Sequence, residues 1–193
     1  NEEKYNGEKI ISAASCTTNC IAPMLKFLNK YDIENGNFIT IHSATSSQSV
    51  VDTANFKKRT NRSIFNNIIP HTTGASDSLE IILPELKGKI VGTSVRVPVS
   101  NVSMIDLNVN FKDNISKEEI LNSLDILKDE VITNNNQKLV SSDFIGNKTP
   151  TILDTNSTMQ LTDKSIKFTL WYDNEWSYSA QMIRLLTFIS KKN

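Results

Sequence analysis

The chain is poor in several things that would announce a function. It has two cysteines, Cys16 and Cys20, four residues apart and without the second ligand pair that a zinc site of this spacing needs. A bridge between them along one helix would strain a disulfide, so the simpler reading is one reactive thiol, one buried thiol and no metal. Neither sign of charge prevails: 21 basic residues balance 21 acidic ones. That balance removes the overall field that draws a protein to nucleic acid or to an anionic membrane, and leaves any anion site to be local. No apolar run approaches the roughly 20 residues of a bilayer span. Asn1 to Lys9 is polar, with no signal-peptide core. A cytoplasmic protein with no membrane and no nucleic-acid partner is predicted. Glycine is scarce, six in all, and nowhere does Gly-x-Gly-x-x-Gly follow a strand, so the dinucleotide-binding fingerprint is missing. There is no initiator methionine, and the polar lead runs straight into Ile10-Ile11 and the cysteines, as in a piece cut from a longer protein.

What remains is a globular composition, 38% hydrophobic and 22% charged over 193 residues, enough for one large domain or two small ones. Ile21, Met24, Leu25 and Leu28 recur at helical spacing as far as Lys30, with Pro23 disturbing the early turns. Gly36 marks a turn, and Phe38 to His42 reads as a short strand that delivers His42 at its end. Ser43 to Pro70 shows no period, and a structureless stretch of that length is usually functional. A short helix near Ser76 to Leu83 ends at Pro84. Val91, Thr93, Val95 and Val97 alternate with Gly92, Ser94 and Arg96, while Ile105, Leu107, Val109 and Phe111 alternate with Asp106, Asn108 and Asn110. Each strand presents one wet face. Ser116 and Glu119 make a capping-box pattern ahead of an amphipathic helix through Ile120, Leu124, Leu127 and Val131. The run Asn134-Asn135-Asn136 reads as a solvated turn. Ile166, Phe168, Leu170 and Tyr172 give a further strand, and Met182, Leu185, Leu186 and Ile189 a last helix. Strand-rich stretches broken by single helices predict an α+β fold, a mixed, largely antiparallel sheet with helices packed on one face.

Chemistry concentrates at Ser15-Cys16-Thr17-Thr18-Asn19-Cys20. At a helix start, free backbone N–H groups and the helix dipole favour a thiolate at Cys16 and stabilise the oxyanion formed when its sulfur attacks a carbonyl. The hydroxyls of Ser15 and Thr17 can donate to a bound anion. Cysteine is more often core than nucleophile, a description that fits Cys20 and fits Cys16 poorly among its polar neighbours. His42 alone is most simply a satisfied polar group at a strand end. Beside Cys16 it becomes the partner that lowers a thiol pKa and serves as general base. Arg96 is read as a permanent cation on the wet face of its strand, where a surface salt bridge is the bland alternative.

Ser15-Cys16-Thr17-Thr18-Asn19-Cys20, Thr40-Ile41-His42, Ile68-Ile69-Pro70 with Thr72-Thr73-Gly74, Arg96-Val97-Pro98 and Trp171-Tyr172-Asp173-Asn174-Glu175-Trp176 resemble, in order, the motifs of the glyceraldehyde-3-phosphate dehydrogenase family. The resemblance runs from about Asn1 to the C-terminus. It implies an NAD-dependent, phosphorylating oxidoreductase of glycolysis, with Cys16 forming a thiohemiacetal and then a thioester, and His42 as the base. It implies inorganic phosphate near Ser15, Thr17, Thr73 and Gly74, and the phosphate of glyceraldehyde-3-phosphate near Thr45 and Arg96. Asn174 would hold the nicotinamide amide. NAD would be bound mainly by an N-terminal domain absent from this chain, and the full-length enzyme would be a homotetramer.

On that reading 1–14 is a tail left from the missing domain, and 15–174 is the catalytic domain with a long loop at 43–70. The segment 175–193 is a C-terminal helix that packs on the missing domain and here exposes its apolar face, and the fragment alone is expected to be inactive. Some positions depart from the family's pattern. Ser47 replaces an acidic residue, Ala44 an aromatic, Ala13 an asparagine, Ser177 a glycine and Val99 a threonine. Arg59 and Arg62 keep part of an arginine-rich stretch, and 43–70 is a little longer than the resemblance implies. These departures bear on substrate-phosphate geometry and subunit contacts. Three alternatives stand beside this reading. Erythrose-4-phosphate dehydrogenase is partly matched by Ile41-His42-Ser43-Ala44, although Thr45 and the Thr-Thr-Gly segment favour glyceraldehyde-3-phosphate. A cysteine acyl transferase or hydrolase without redox chemistry could use Cys16 and His42 equally well, and Asn174 in its string argues against it. A non-catalytic binding module is the third.

Overall fold

Apolar side chains two residues apart build a single sheet, and helices cover one of its faces. The computed structural model, which describes residues 1–54, 58–127 and 130–192, contains α1 (Cys16–Leu28), β1 (Ile33–His42), β2 (Ile69–His71), α2 (Ala75–Ile82), β3 (Ile90–Arg96), β4 (Ser103–Phe111), α3 (Lys117–Leu127), β5 (Ile132–Asn135), β6 (Thr151–Thr162), β7 (Ser165–Tyr172) and α4 (Trp176–Ser190). Residues 55–57 of the long loop and the side chain of Leu127 lie outside the described residues. The seven strands run in the order β2-β3-β1-β4-β7-β6-β5. β1 with β3 and β5 with β6 are parallel pairs, and the other four pairs are antiparallel. The architecture is therefore the α+β, mixed and largely antiparallel sheet that the sequence predicts.

β4 is the centre. Ile105, Leu107, Val109 and Phe111 are fully buried, as are Ile166, Phe168, Leu170 and Tyr172 across the ladder on β7. Onto this face pack Ile21, Met24, Leu25 and Leu28 of α1, Leu79 of α2, and Ile120 and Leu124 of α3. A smaller cluster of Val102, Phe144 and Ile152 lies apart, with Trp171 stacked on Phe144 at 5.5 Å between ring centroids. Ile152 pairs directly with Trp171, one step out of phase with the core residues Leu153 and Leu170, so this cluster sits on the opposite face. Caps set the helix starts. Ser15 Oγ accepts from the Thr18 N–H at 3.0 Å, and Ser116 Oγ from the Glu119 N–H at 3.1 Å. Among the described residues no helix is long and apolar enough to cross a membrane.

Several readings need correction. α1 runs unbroken through Pro23, because burial of four large apolar side chains outweighs the single hydrogen bond that proline removes. Gly36 is not a turn. It lies inside β1, paired with Ile90 on one side and Val109 on the other, and a Cβ there would stand 2.7 Å from the Asn108 carbonyl oxygen. β3 has its faces reversed: Val91 and Thr93 are exposed, while Ser94 is buried and Arg96 half-buried. Gly92 explains the reversal, since its missing side chain is the space that the ring of Phe38 fills. Val131 follows α3 rather than extending it, and Asn134 and Asn135 belong to β5 rather than to a turn. β5 and the twelve-residue β6 are additions to the predicted elements.

Candidate active site

Three element ends converge on one cleft of about 420 Å³. Cys16 is the first residue of α1, His42 the last of β1 and Arg96 the last of β3. Because β1 and β3 are parallel and in register, His42 stands directly beside Arg96 on the face that α1 covers. Cys16 Sγ lies 3.4 Å from His42 Nε2. On the other side of the ring, Nδ1 is 2.9 Å from the Ser43 carbonyl oxygen and 2.5 Å from Arg96 Nη1. The rest of the lining is rich in hydroxyls: Ser15, Thr17, Thr40, Thr72, Thr73 and Ser94, with Gly74 at the start of α2. Among the described residues no group of three or more His, Cys, Asp or Glu side chains could hold a metal ion.

The electrostatics differ from the thiolate expectation. Burial pushes the Cys16 thiol up, and the Thr17 N–H and hydroxyl and the charge of Arg96 offset this only in part. Burial likewise pushes His42 down to about 4, with the Ser43 carbonyl opposing and the charges of Arg96 and His71 assisting. For both groups burial disfavours the charged form, against the thiolate that a helix N-terminus beside a histidine suggests. Cys20 is a different case. It is fully buried, and burial pushes its thiol well up. Arg96 is not the wet-face cation of the sequence reading. Its Nη1 also donates to the Ser43 carbonyl at 3.1 Å, and its buried Nε has no partner.

The cleft brings together Ser15, Cys16, Thr17, His42, Thr73, Gly74 and Arg96 of the predicted site residues. Thr45 and Asn174 do not line it. Thr45 closes a turn of its own, its N–H and hydroxyl both donating to Gln48 Oε1, with Ser47 Oγ 3.0 Å from the Thr45 hydroxyl. Asn174 is buried behind His42, where its Oδ1 accepts from the hydroxyls of Ser43 and Ser103 at 2.8 and 2.9 Å. Thr73 Oγ1 accepts at 3.2 Å from the N–H of Ala75, the first residue of α2, and a Cβ on Gly74 would meet nothing within 4 Å. Two participants escaped the sequence reading. Tyr172 is fully buried, and its hydroxyl lies 2.9 Å from both Thr17 Oγ1 and Thr40 Oγ1, tying α1 to the sheet beneath Cys16 and His42. A buried tyrosine hydroxyl usually finds such a partner, and a tyrosine at the core-facing end of an alternating strand was the available signal. Asp173, also fully buried, accepts from the N–H groups of Gly146, Glu175 and Trp176 and from Asn101 Nδ2.

The sequence pattern of the family described as Glyceraldehyde 3-phosphate dehydrogenase, C-terminal domain, matches residues 15–174. Glyceraldehyde-3-phosphate dehydrogenase 1 of Kluyveromyces marxianus is 41% identical over 196 residues, which is 98% of this chain and 60% of that protein. Glyceraldehyde-3-phosphate dehydrogenase 2 of Bacillus subtilis is 38% identical over 199 residues, 100% of this chain and 58% of that protein. Glyceraldehyde-3-phosphate dehydrogenase 3 of Saccharomyces cerevisiae is 39% identical over 198 residues, 99% and 60% respectively. The chain thus spans 58 to 60% of the length of these relatives. The matched segment starts at the serine that caps α1 and ends at the asparagine behind the histidine, so that it takes in Cys16, His42, Thr73, Gly74 and Arg96 of the cleft, and the chain belongs to the glyceraldehyde 3-phosphate dehydrogenase family, whose C-terminal domain it carries.

Proposed function

We propose that this chain is the catalytic part of an NAD-dependent, phosphorylating glyceraldehyde-3-phosphate dehydrogenase. The observation that carries the reading is the 3.4 Å approach of Cys16 Sγ to His42 Nε2 in a hydroxyl-lined cleft beside a half-buried arginine. Sγ attacks the aldehyde carbon, and the thiol proton passes to His42 Nε2. The Cys16 and Thr17 N–H groups, in the first turn of α1 where no intrahelical acceptor reaches them, stabilise the oxyanion. NAD, when bound, supplies the hydride acceptor that brings the adduct to the oxidation level of a thioester. Asn174 fits only one edge of such a cofactor: its Oδ1 is held by Ser43 and Ser103, which leaves Nδ2 as the group to offer. A phosphate oxygen then attacks the thioester carbon, the C–S bond breaks, and an acyl phosphate leaves.

Ser15, Thr17, Thr73 and Gly74 form the site for inorganic phosphate in this proposal, and Arg96 with Thr45 the site for the substrate's own phosphate. The unpartnered Nε of Arg96 and the open space over Gly74 support it. Residues 15–174 are the unit that carries the chemistry. α4 offers Trp176, Met182, Ile183 and Leu186 at 42 to 63% exposure, as a helix that docks on a further domain. We place the longer protein in the cytoplasm as a homotetramer, in line with the relative from Chlamydomonas reinhardtii that is named as cytosolic.

Acetyl transfer from p-nitrophenyl acetate tests the reading. Nitrophenol should appear in a burst with acetate bound at Cys16, the Cys16→Ser variant should lose the burst, and His42→Gln should slow it by about a hundredfold or more. Added phosphate should release acetyl phosphate. A burst that survives Cys16→Ser, or deacylation indifferent to phosphate, would sink the proposal.

A further inference from the structure

The chain enters α1 through an uncommon backbone. Among the described residues three other than glycine lie in the left-handed region, Ala14 (φ 58°), Asp32 (φ 56°) and Val102 (φ 67°), and of these only Ala14 lines the cleft. Crowding between Cβ and the backbone disfavours that region for side chains, and alanine lacks the short polar group with which asparagine or aspartate offsets the cost. The conformation at Ala14 is therefore imposed by its surroundings. Its place makes it consequential, because it precedes Ser15, which caps α1, and Cys16, which begins it.

The bonds that impose it are few. The Ala14 N–H donates to Ser12 Oγ at 3.0 Å. Asn19, the fourth residue of α1, donates through Nδ2 to the carbonyls on either side, that of Ala13 at 2.7 Å and that of Ser15 at 2.8 Å. These contacts belong to the same short segment and move with it. The Ala14 carbonyl has one partner among the described residues: the hydroxyl of half-buried Tyr178, the third residue of α4, which donates to it at 3.2 Å. That is the one bond to the left-handed residue from an element distant in sequence. α4 is a firm anchor at this point. Buried Asp173 accepts through Oδ1 from the N–H groups of Glu175 and Trp176, and through Oδ2 from Asn101 Nδ2 and the Gly146 N–H. The Ser177 hydroxyl adds a bond to the Asp173 carbonyl at 2.6 Å.

We infer that Tyr178 is a positioning residue for the nucleophile, its hydroxyl holding Ala14 in the left-handed backbone that sets Ser15 and Cys16 in the cleft. This rests on the reading of Cys16 as the nucleophile. Without the hydroxyl, the Ala14 carbonyl loses its bond and the residue relaxes toward negative φ. That rotation turns the peptide that follows, so Ser15 leaves its capping bond to the Thr18 N–H and Cys16 shifts at the helix start. A glycine at position 14 has no Cβ to crowd the backbone and adopts the same conformation at no steric cost. The need for the hydroxyl is thus conditional on the side chain at 14, which sets this role apart from a general contribution of Tyr178 to the packing of α4.

Two readouts on the chain test this. The first is the rate of the acetyl burst with p-nitrophenyl acetate. Tyr178→Phe keeps the ring and removes the hydroxyl, and it should slow the burst by roughly tenfold, the scale of a sub-ångström displacement of a reacting group. Adding Ala14→Gly to Tyr178→Phe should restore the rate. The second is the amide-to-α-proton nuclear Overhauser effect within Ala14, which is strong only where φ is positive. It should be strong in the unsubstituted chain and weaken in Tyr178→Phe, whatever the chemistry at Cys16. An undiminished burst in Tyr178→Phe overturns the inference. So does a burst that falls but is not recovered by Ala14→Gly, because the hydroxyl then acts elsewhere. An Ala14 signal that is weak from the outset, or that Tyr178→Phe leaves unchanged, overturns it as well. A burst that survives Cys16→Ser removes the nucleophile, and the positioning role falls with the reading it serves even where the Ala14 signal behaves as expected.

Discussion

At Cys16 several effects act on one sulfur: burial raises its pKa, while the Thr17 N–H and hydroxyl and the charge of Arg96 lower it, and burial is the largest. Four residues along the same helix, Cys20 is fully buried, and burial and then the neighbouring Cys16 both push its thiol up with nothing to oppose them. Iodoacetamide should therefore alkylate Cys16 in strong preference to Cys20, as peptide mass mapping would show. The rate at Cys16 should still be climbing above pH 9, the ordinary thiol value, because the thiolate forms late. A plateau near neutral pH would instead reveal a preformed ion pair. His42 gives a second prediction at this scale. Its folded-state pKa of about 4 lies below the ordinary 6.5, so the unfolded chain binds the proton more readily. The contribution of His42 to stability is complete above pH 6.5 and is lost as pH falls toward 4, a change of roughly 3 kcal/mol. Urea unfolding at stepped pH should show this loss, and His42→Gln should flatten it.

Among the elements, β3 shows how a side chain can be mis-placed by pattern and set right by packing. The alternation of Val91, Thr93 and Val95 with Gly92, Ser94 and Arg96 is real. Polarity alone points the valines inward, but Phe38 on the neighbouring β1 needs the volume over Gly92, and the end of the strand needs Arg96 beside His42. A Cβ on Gly92 would come within 2.1 Å of the Phe38 ring. Gly92→Ala should accordingly lower stability by about 1–3 kcal/mol in urea unfolding, and shortening the ring with Phe38→Leu should recover part of that loss in the double variant. An additive double variant would show that the two residues do not compete for the same space. The same contrast governs what the sequence makes legible. The clean alternations of β4 and β7 and the Ser116 cap carry their structure in a local pattern. β6 does not, because its ladder slips register between Asp154 and Met159 and its second half is largely exposed and polar. In the site, Cys16 and His42 stand out by type and context. Tyr172 does not, since its partners Thr17 and Thr40 lie on elements distant in sequence, and Asp173 does so only in part, since Asn101 and Gly146 are distant while Glu175 and Trp176 are local; the contact between Arg96 and His42 depends on a parallel pairing that no local pattern encodes.

For the whole molecule the question is what the chain can do by itself. The Cys16–His42 pair, the hydroxyl-lined cleft and a central sheet with one fully buried face are all present within it. What is thin is the hold on a dinucleotide. Asn174 offers a single Nδ2, and the sequence has no glycine-rich turn to bring backbone N–H groups against a pyrophosphate. The relatives are longer by the part that this chain does not span, and α4 carries Trp176, Ile183 and Leu186 more than half exposed where a further domain could cover them. Hydride transfer needs the acceptor held against the carbon bound to Cys16, so weak cofactor affinity translates directly into lost rate. Acyl transfer makes no such demand. The chain should therefore retain the acetyl burst yet reduce NAD with glyceraldehyde-3-phosphate and phosphate at less than a tenth of the rate of the same sequence joined to the N-terminal domain of a relative. Joining should also cover Trp176, read as a blue shift of its fluorescence. Turnover by the chain alone within tenfold of the joined protein, a difference of only about 1.4 kcal/mol in barrier, would mean that the cofactor's main contacts lie within these 193 residues after all.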